Sequence, residues 1–127
     1  MARIHDVVVD SRHPASLARF WAAVLDGYAV APYDDDELAR LRANGIFDPE
    51  DDPSVLVEAA PGVRPRFFFQ LVPESKIVKN RLHLDLLAED LPQEVGRLVG
   101  LGASVLSERA GWAVLADPEG NEFCVRT

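Results

Sequence analysis

His5 and His83 each stand at the head of an apolar run, and Glu122 opens another near the end of the chain. Two imidazoles and a carboxylate suit zinc, iron, manganese, nickel or cobalt, and three protein ligands leave the open positions that a catalytic metal needs. The histidines come in similar settings, Arg3-Ile4-His5 and Arg81-Leu82-His83, so the chain reads as two related units. No local pair such as His-x-x-x-His or Cys-x-x-Cys reinforces the set, and the metal reading depends on the repeat bringing distant strands together. A structural reading stands beside it: each histidine hydrogen-bonded inside a polar cavity, and Glu122 paired with Arg3, Arg81 or Arg126. Gln70 closes the first unit as Glu122 closes the second. It reads either as a neutral fourth ligand or substrate donor, or as a buried amide satisfying backbone groups. His13, in a His-Pro pair, reads as a turn or helix entry. Cys124 reads as a small buried hydrophobe in an apolar terminal strand.

These side chains must be held by regular elements. Ile4 to Val9 reads as a strand, and Ala15 to Leu25 as an amphipathic helix with Leu17, Phe20, Trp21, Val24 and Leu25 at helical spacing and a stop at Gly27. Tyr28 to Tyr33, Ser54 to Ala59 and Arg66 to Val72 read as strands, giving the order β-α-β-β-β. An acidic insertion, 34–53, carries a short helix over Asp36 to Ala43. Arg81 to Leu87, Leu91 to Leu101, Ser104 to Ser107, Trp112 to Ala116 and Glu122 to Arg126 repeat the order, with Pro92 and Gly102 bounding the helix. By strand parity His83 and Asp85 share a face, as do His5, Val7 and Val9. Both histidines are expected to look into a cavity on the face away from the helix.

With 127 residues, 48% hydrophobic and 27% charged, the chain has material for one core. A net charge of -8 and a pI near 4.7 exclude a phosphate-tracking surface, so no nucleic acid is expected. Neither a signal peptide nor a membrane span is expected, and the expected location is cytoplasmic. The acidic runs Asp34 to Glu37 and Asp48 to Asp52 read as a helix start and a solvated loop.

Three stretches carry a family likeness: Pro14-Ala15-Ser16-Leu17-Ala18-Arg19-Phe20-Trp21, the joint from Val72 to Lys76 running into Lys79-Asn80-Arg81-Leu82-His83-Leu84-Asp85-Leu86, and Ala116-Asp117-Pro118-Glu119-Gly120-Asn121-Glu122-Phe123-Cys124-Val125. On these the chain resembles the vicinal oxygen chelate superfamily, among its glyoxalase-like and bleomycin-resistance-like small proteins. The resemblance implies an α+β fold: a single domain of two β-α-β-β-β modules, about 1–74 and 80–127, forming a curved mixed sheet around a cleft, commonly as a homodimer. It also implies metal ligands at His5, His83 and Glu122, with Gln70 at the remaining module-closing position. Glu122 would serve in catalysis, and Phe68, Trp112 and Asp85 would line the substrate cleft.

The implied function is a lyase, isomerase or dioxygenase acting on a small oxygen-rich metabolite through a divalent metal. The alternative is a metal-free protein that sequesters a small molecule, with Phe67, Phe68, Phe69, Trp112 and Phe123 as candidate walls. Gln70 stands where a true glyoxalase needs a base, which disfavours lactoylglutathione lyase activity.

Overall fold

A computed structural model describes all residues, Met1–Thr127. The chain forms an α+β fold of two four-stranded mixed sheets, in two compact units, Met1–Glu74 and Ser75–Thr127.

In the first unit β1 (Asp6–Ser11) runs parallel to β4 (Arg66–Leu71), which pairs antiparallel with β3 (Ser54–Glu58), and β2 (Ala29–Val30) closes the order β1-β4-β3-β2. Helix α1 (Pro14–Val24) follows β1 and packs on the sheet. Leu17, Ala18, Phe20, Trp21 and Val24 are buried on it, and Val55, Val57, Phe67 and Phe69 are buried on the strands. Pro14 suits the first helical turn, where its missing N–H has no partner to lose.

In the second unit the order is β5-β8-β7-β6, from β5 (Leu84–Leu87), β6 (Ser104–Arg109), β7 (Trp112–Ala116) and β8 (Glu122–Arg126), with β5 and β8 parallel. Helix α3 (Leu91–Leu101) is capped by the Asp90 carboxylate, which accepts the Gln93 N–H, and ends at Gly102. Its buried Val95 and Leu98 lie on the side of Ala113, Leu115, Phe123 and Val125.

The insertion holds α2 (Asp35–Ala43) and a single 3-10 turn at Pro49–Asp51. Asp34 caps α2 through the Glu37 N–H, and the acidic start and basic end suit the helix dipole. Asp52, buried, accepts the Tyr33 hydroxyl at 2.7 Å and the Ser54 N–H at 3.0 Å, which ties the insertion to β3. Burial and this carboxylate push the Tyr33 phenol up.

Four expected strands change extent by two residues or more, the one expected over Ser104 to Ser107 running on to Arg109. The first begins at Asp6, leaving His5 ahead of it, and Tyr28 to Tyr33 narrows to two ladder residues. The strand expected from Arg81 begins at Leu84, so His83 lies just ahead of β5. No helix is long and apolar enough to cross a membrane.

Candidate functional site on the open face of the second unit

Each sheet has one face against its helix and one face free of it. In the second unit Leu84 and Leu86 pair with Phe123 and Val125 on the helix side. Asp85 and Cys124 are directly paired on the open side, and by parity His83, Glu122, Arg126, Val114 and Trp112 join them.

His83 organises this face. Its Nδ1 lies 3.2 Å from Asp85 Oδ1 and its Nε2 lies 3.8 Å from Cys124 Sγ. Donor atoms of His83, Asp85 and Cys124 all fall within 4.8 Å of one another, a group able to hold a metal ion. Burial, and then the Asp85 carboxylate, push the Cys124 thiol up. A cavity of about 500 Å³ opens beside the group, lined by Asp85, Trp112, Cys124 and Arg126 with Ala110, Gly111 and Thr127. Trp112 is 37% exposed there, and Arg109 lies over its ring at 5.6 Å. Gly111, at φ +82, makes the turn between β6 and β7 that forms part of the wall.

Glu122 is held differently. Lys76 Nζ donates to its Oε1 at 2.7 Å and the Asn80 N–H donates to its Oε2 at 3.1 Å. The Lys76 and Glu122 side chains are only 16% and 17% exposed, and the ammonium, with the Asn80 N–H, holds the carboxyl down at about 2. The counter-ion is thus a lysine of the connector, where the sequence offered Arg3, Arg81 or Arg126. The turn before Glu122 is fixed by buried Asp117, whose carboxylate accepts N–H groups of Glu119 and Asn121 and the Asn121 amide. Gly120 supplies the φ of +90 that this turn requires.

In the first unit the helix-facing residues of β1 are Val7 and Val9, paired with Phe67 and Phe69. Asp6, Val8 and Asp10 face the open side with Arg66, Phe68 and Gln70. The parity expected of His5, Val7 and Val9 therefore points to the helix side. His5 itself precedes the strand with its side chain 61% exposed, 2.9 Å from Asp6. Arg66 donates to both Asp6 oxygens, at 2.8 and 3.1 Å, and lies over the Phe68 ring at 5.4 Å. Arg66 foremost, then His5, hold the Asp6 carboxyl down at about 2. Gln70 is exposed and level with Asp10, at the other end of β4 from Arg66, so His5 and Gln70 are not brought together. Of the five aromatic residues expected as walls, Phe67, Phe69 and Phe123 are buried on the helix sides; Phe68 and Trp112 are on open faces. Phe68 lines a cavity of about 410 Å³ with Tyr33, Glu37, Arg40 and Leu56.

Cys124 is the residue that sequence reasoning set aside. It is half-buried on the open face, and its place two residues after Glu122 was the available signal.

Residues 6–126 match the glyoxalase-like domain family. The chain belongs to that family. Its fold is shared with solved members of the glyoxalase/bleomycin resistance/dioxygenase, or vicinal oxygen chelate, group. A family enzyme from Burkholderia phytofirmans PsJN has TM-score 0.64 at 17% identity, over 98% of this chain and 97% of that one. The trypanothione-dependent glyoxalase I of Leishmania major has TM-score 0.65 at 16% identity, over 100% and 87%. The fosfomycin resistance protein FosX of Mesorhizobium loti has TM-score 0.63 at 15% identity, over 100% and 90%. No curated protein matches the chain by sequence.

For a divalent metal, the donor chemistry fits at His83, where imidazole, carboxylate and thiol lie close together. Glu122, with one oxygen on an ammonium and the other on a backbone N–H, lies outside that group.

Proposed function

We propose that this chain is a metal-dependent enzyme of the vicinal oxygen chelate superfamily, acting on a small oxygen-rich metabolite by lyase, isomerase or dioxygenase-type chemistry. The observation that carries the reading is His83, with a ring nitrogen toward each of two further donors, beside a cavity of about 500 Å³. A divalent metal, when bound, supplies Lewis-acid stabilisation of an enolate or related oxyanion.

The chain's own residues do the rest. Trp112 offers an apolar wall, and Arg126 a cation for an anionic substituent of the substrate. Glu122 and Lys76 act as positioning residues: their ion pair, with the Asn80 N–H, anchors the segment that leads into His83. Asp117 fixes the turn from which β8 starts.

The test is metal-free protein reloaded with zinc, iron, manganese or nickel and assayed against a panel of α-hydroxycarbonyl compounds and catechols. Metal-dependent turnover of at least one compound, lost in His83→Ala, is the expected result. Tight binding of compounds with no turnover under any metal would overturn the enzyme reading in favour of sequestration.

A further inference from the structure

The donor set around His83 contains a thiol, and a thiol selects among metals. We infer that this chain holds a thiophilic divalent metal, zinc foremost, through His83, Asp85 and Cys124. The inference rests on the metal-dependent reading above and specifies its ligands.

The His83–Cys124 pair is spaced close to what a metal demands. Two tetrahedral zinc ligands, one sulfur and one nitrogen, lie about 3.6 Å apart given the usual bond lengths. Cys124 Sγ and His83 Nε2 are 3.8 Å apart; Asp85 Oδ1 lies 3.2 Å from the other ring nitrogen, Nδ1, and joins the set by turning its carboxylate toward Cys124, with donor atoms of all three within 4.8 Å. The three residues come from neighbouring strands whose pairing is fixed: Asp85 sits opposite Cys124, and His83 immediately precedes β5 on the same face. Closing the site needs side-chain adjustment and no change of fold.

The chemistry discriminates as well. Thiolate and imidazole favour zinc or another borderline-soft ion over magnesium or calcium, which take oxygen ligands. Three protein ligands leave a position for water or substrate, and Asp85 and Cys124 both line the adjacent cavity. On binding, the Cys124 thiol gives its proton to solvent and its sulfur lone pair to the metal. Glu122 stays with Lys76 and is not a ligand.

Cobalt substitution tests this without any assay of activity, because Cys124 is the chain's single cysteine. Purified full-length protein, freed of metal and titrated with cobalt(II) alone, is expected to develop a near-ultraviolet thiolate-to-cobalt charge-transfer band, which zinc then abolishes. Cys124→Ser should lose the band and bind zinc more weakly by at least the roughly 10–100-fold that loss of an outer-shell partner costs. Asp85→Asn should weaken zinc comparably while keeping the band. Far-ultraviolet circular dichroism checks that each variant folds. Cobalt bound by wild type without the band would overturn the thiolate set and leave the metal-dependent reading standing; no cobalt or zinc bound at all would overturn both.

Discussion

The two units use the same frame and put different chemistry on it. Their registers align Val7 and Phe67 with Leu84 and Phe123, so Asp6 corresponds to His83, Arg66 to Glu122, Val8 to Asp85 and Phe68 to Cys124. On the helix sides the substitutions exchange one apolar residue for another. On the open faces they exchange an arginine for a glutamate, a valine for an aspartate and a phenylalanine for a cysteine. In the first unit the acid and base on adjacent strands satisfy each other, Asp6 with Arg66, and the neighbouring positions are apolar. In the second, Glu122 takes its counter-ion from Lys76 in the connector, so His83 turns to Asp85 and Cys124. A pair closed within the sheet makes a structural face. A pair completed from outside it leaves His83, Asp85 and Cys124 to one another.

The comparison requires the helix sides to behave alike. Phe67→Ala and Phe123→Ala remove equivalent buried rings, 7% and 1% exposed, and each is expected to cost about 3–5 kcal/mol in chemical denaturation. A cost below about 1 kcal/mol for one of them alone would break the equivalence.

A smaller effect is expected at the turn before β8. Asp117→Ala leaves the Glu119 and Asn121 N–H groups without their acceptor, at about 1–3 kcal/mol. In the first unit, Arg64→Ala in the β3–β4 connection should be nearly silent, since its guanidinium bonds only the neighbouring Val63 carbonyl. Equal losses in thermal unfolding would show that the turns do not differ as described.

Acid sharpens the comparison of the ion pairs. Both carboxylates titrate at about 2, below their ordinary 3.8 for Asp6 and 4.5 for Glu122. With folded values depressed, each contributes stability that is fully present above the ordinary value and lost as pH falls towards 2. Lys76→Met should raise the Glu122 value and leave Asp6 alone, and Arg66→Met should do the reverse, as read by carboxyl carbon NMR. Glu122 unmoved by Lys76→Met would remove the connector lysine from the account.

Much of this frame was legible in the residues. The order of elements, the helix Leu91–Leu101 and the strands Trp112–Ala116 and Glu122–Arg126 follow from periodicity and from glycine and proline punctuation. The phase of β5 was legible because leucines alternate with His83 and Asp85. The phase of β1 was not, since Val7, Val8 and Val9 are all apolar and parity cannot say which side meets the helix. The repeated Arg-x-His also aligns the units one residue out of register. The link from Leu86 to Pro92 is one residue longer than that from Val9 to Pro14, so Asp6, and not His5, corresponds to His83. Lys76 was not legible as the partner of Glu122 because the contact joins residues far apart in the chain. The open-face position of Cys124 was not legible in composition, which sees an apolar strand but not that its alternate side chains face away from the helix.

The most direct measurement is calorimetric zinc titration of wild type, His83→Ala and Asp6→Ala. The account predicts one zinc per wild-type chain, affinity reduced by about 100-fold or more in His83→Ala, and affinity within about twofold of wild type in Asp6→Ala. No zinc bound by wild type, or equal losses in the two variants, would contradict the assignment of the chemistry to the open face of the second unit.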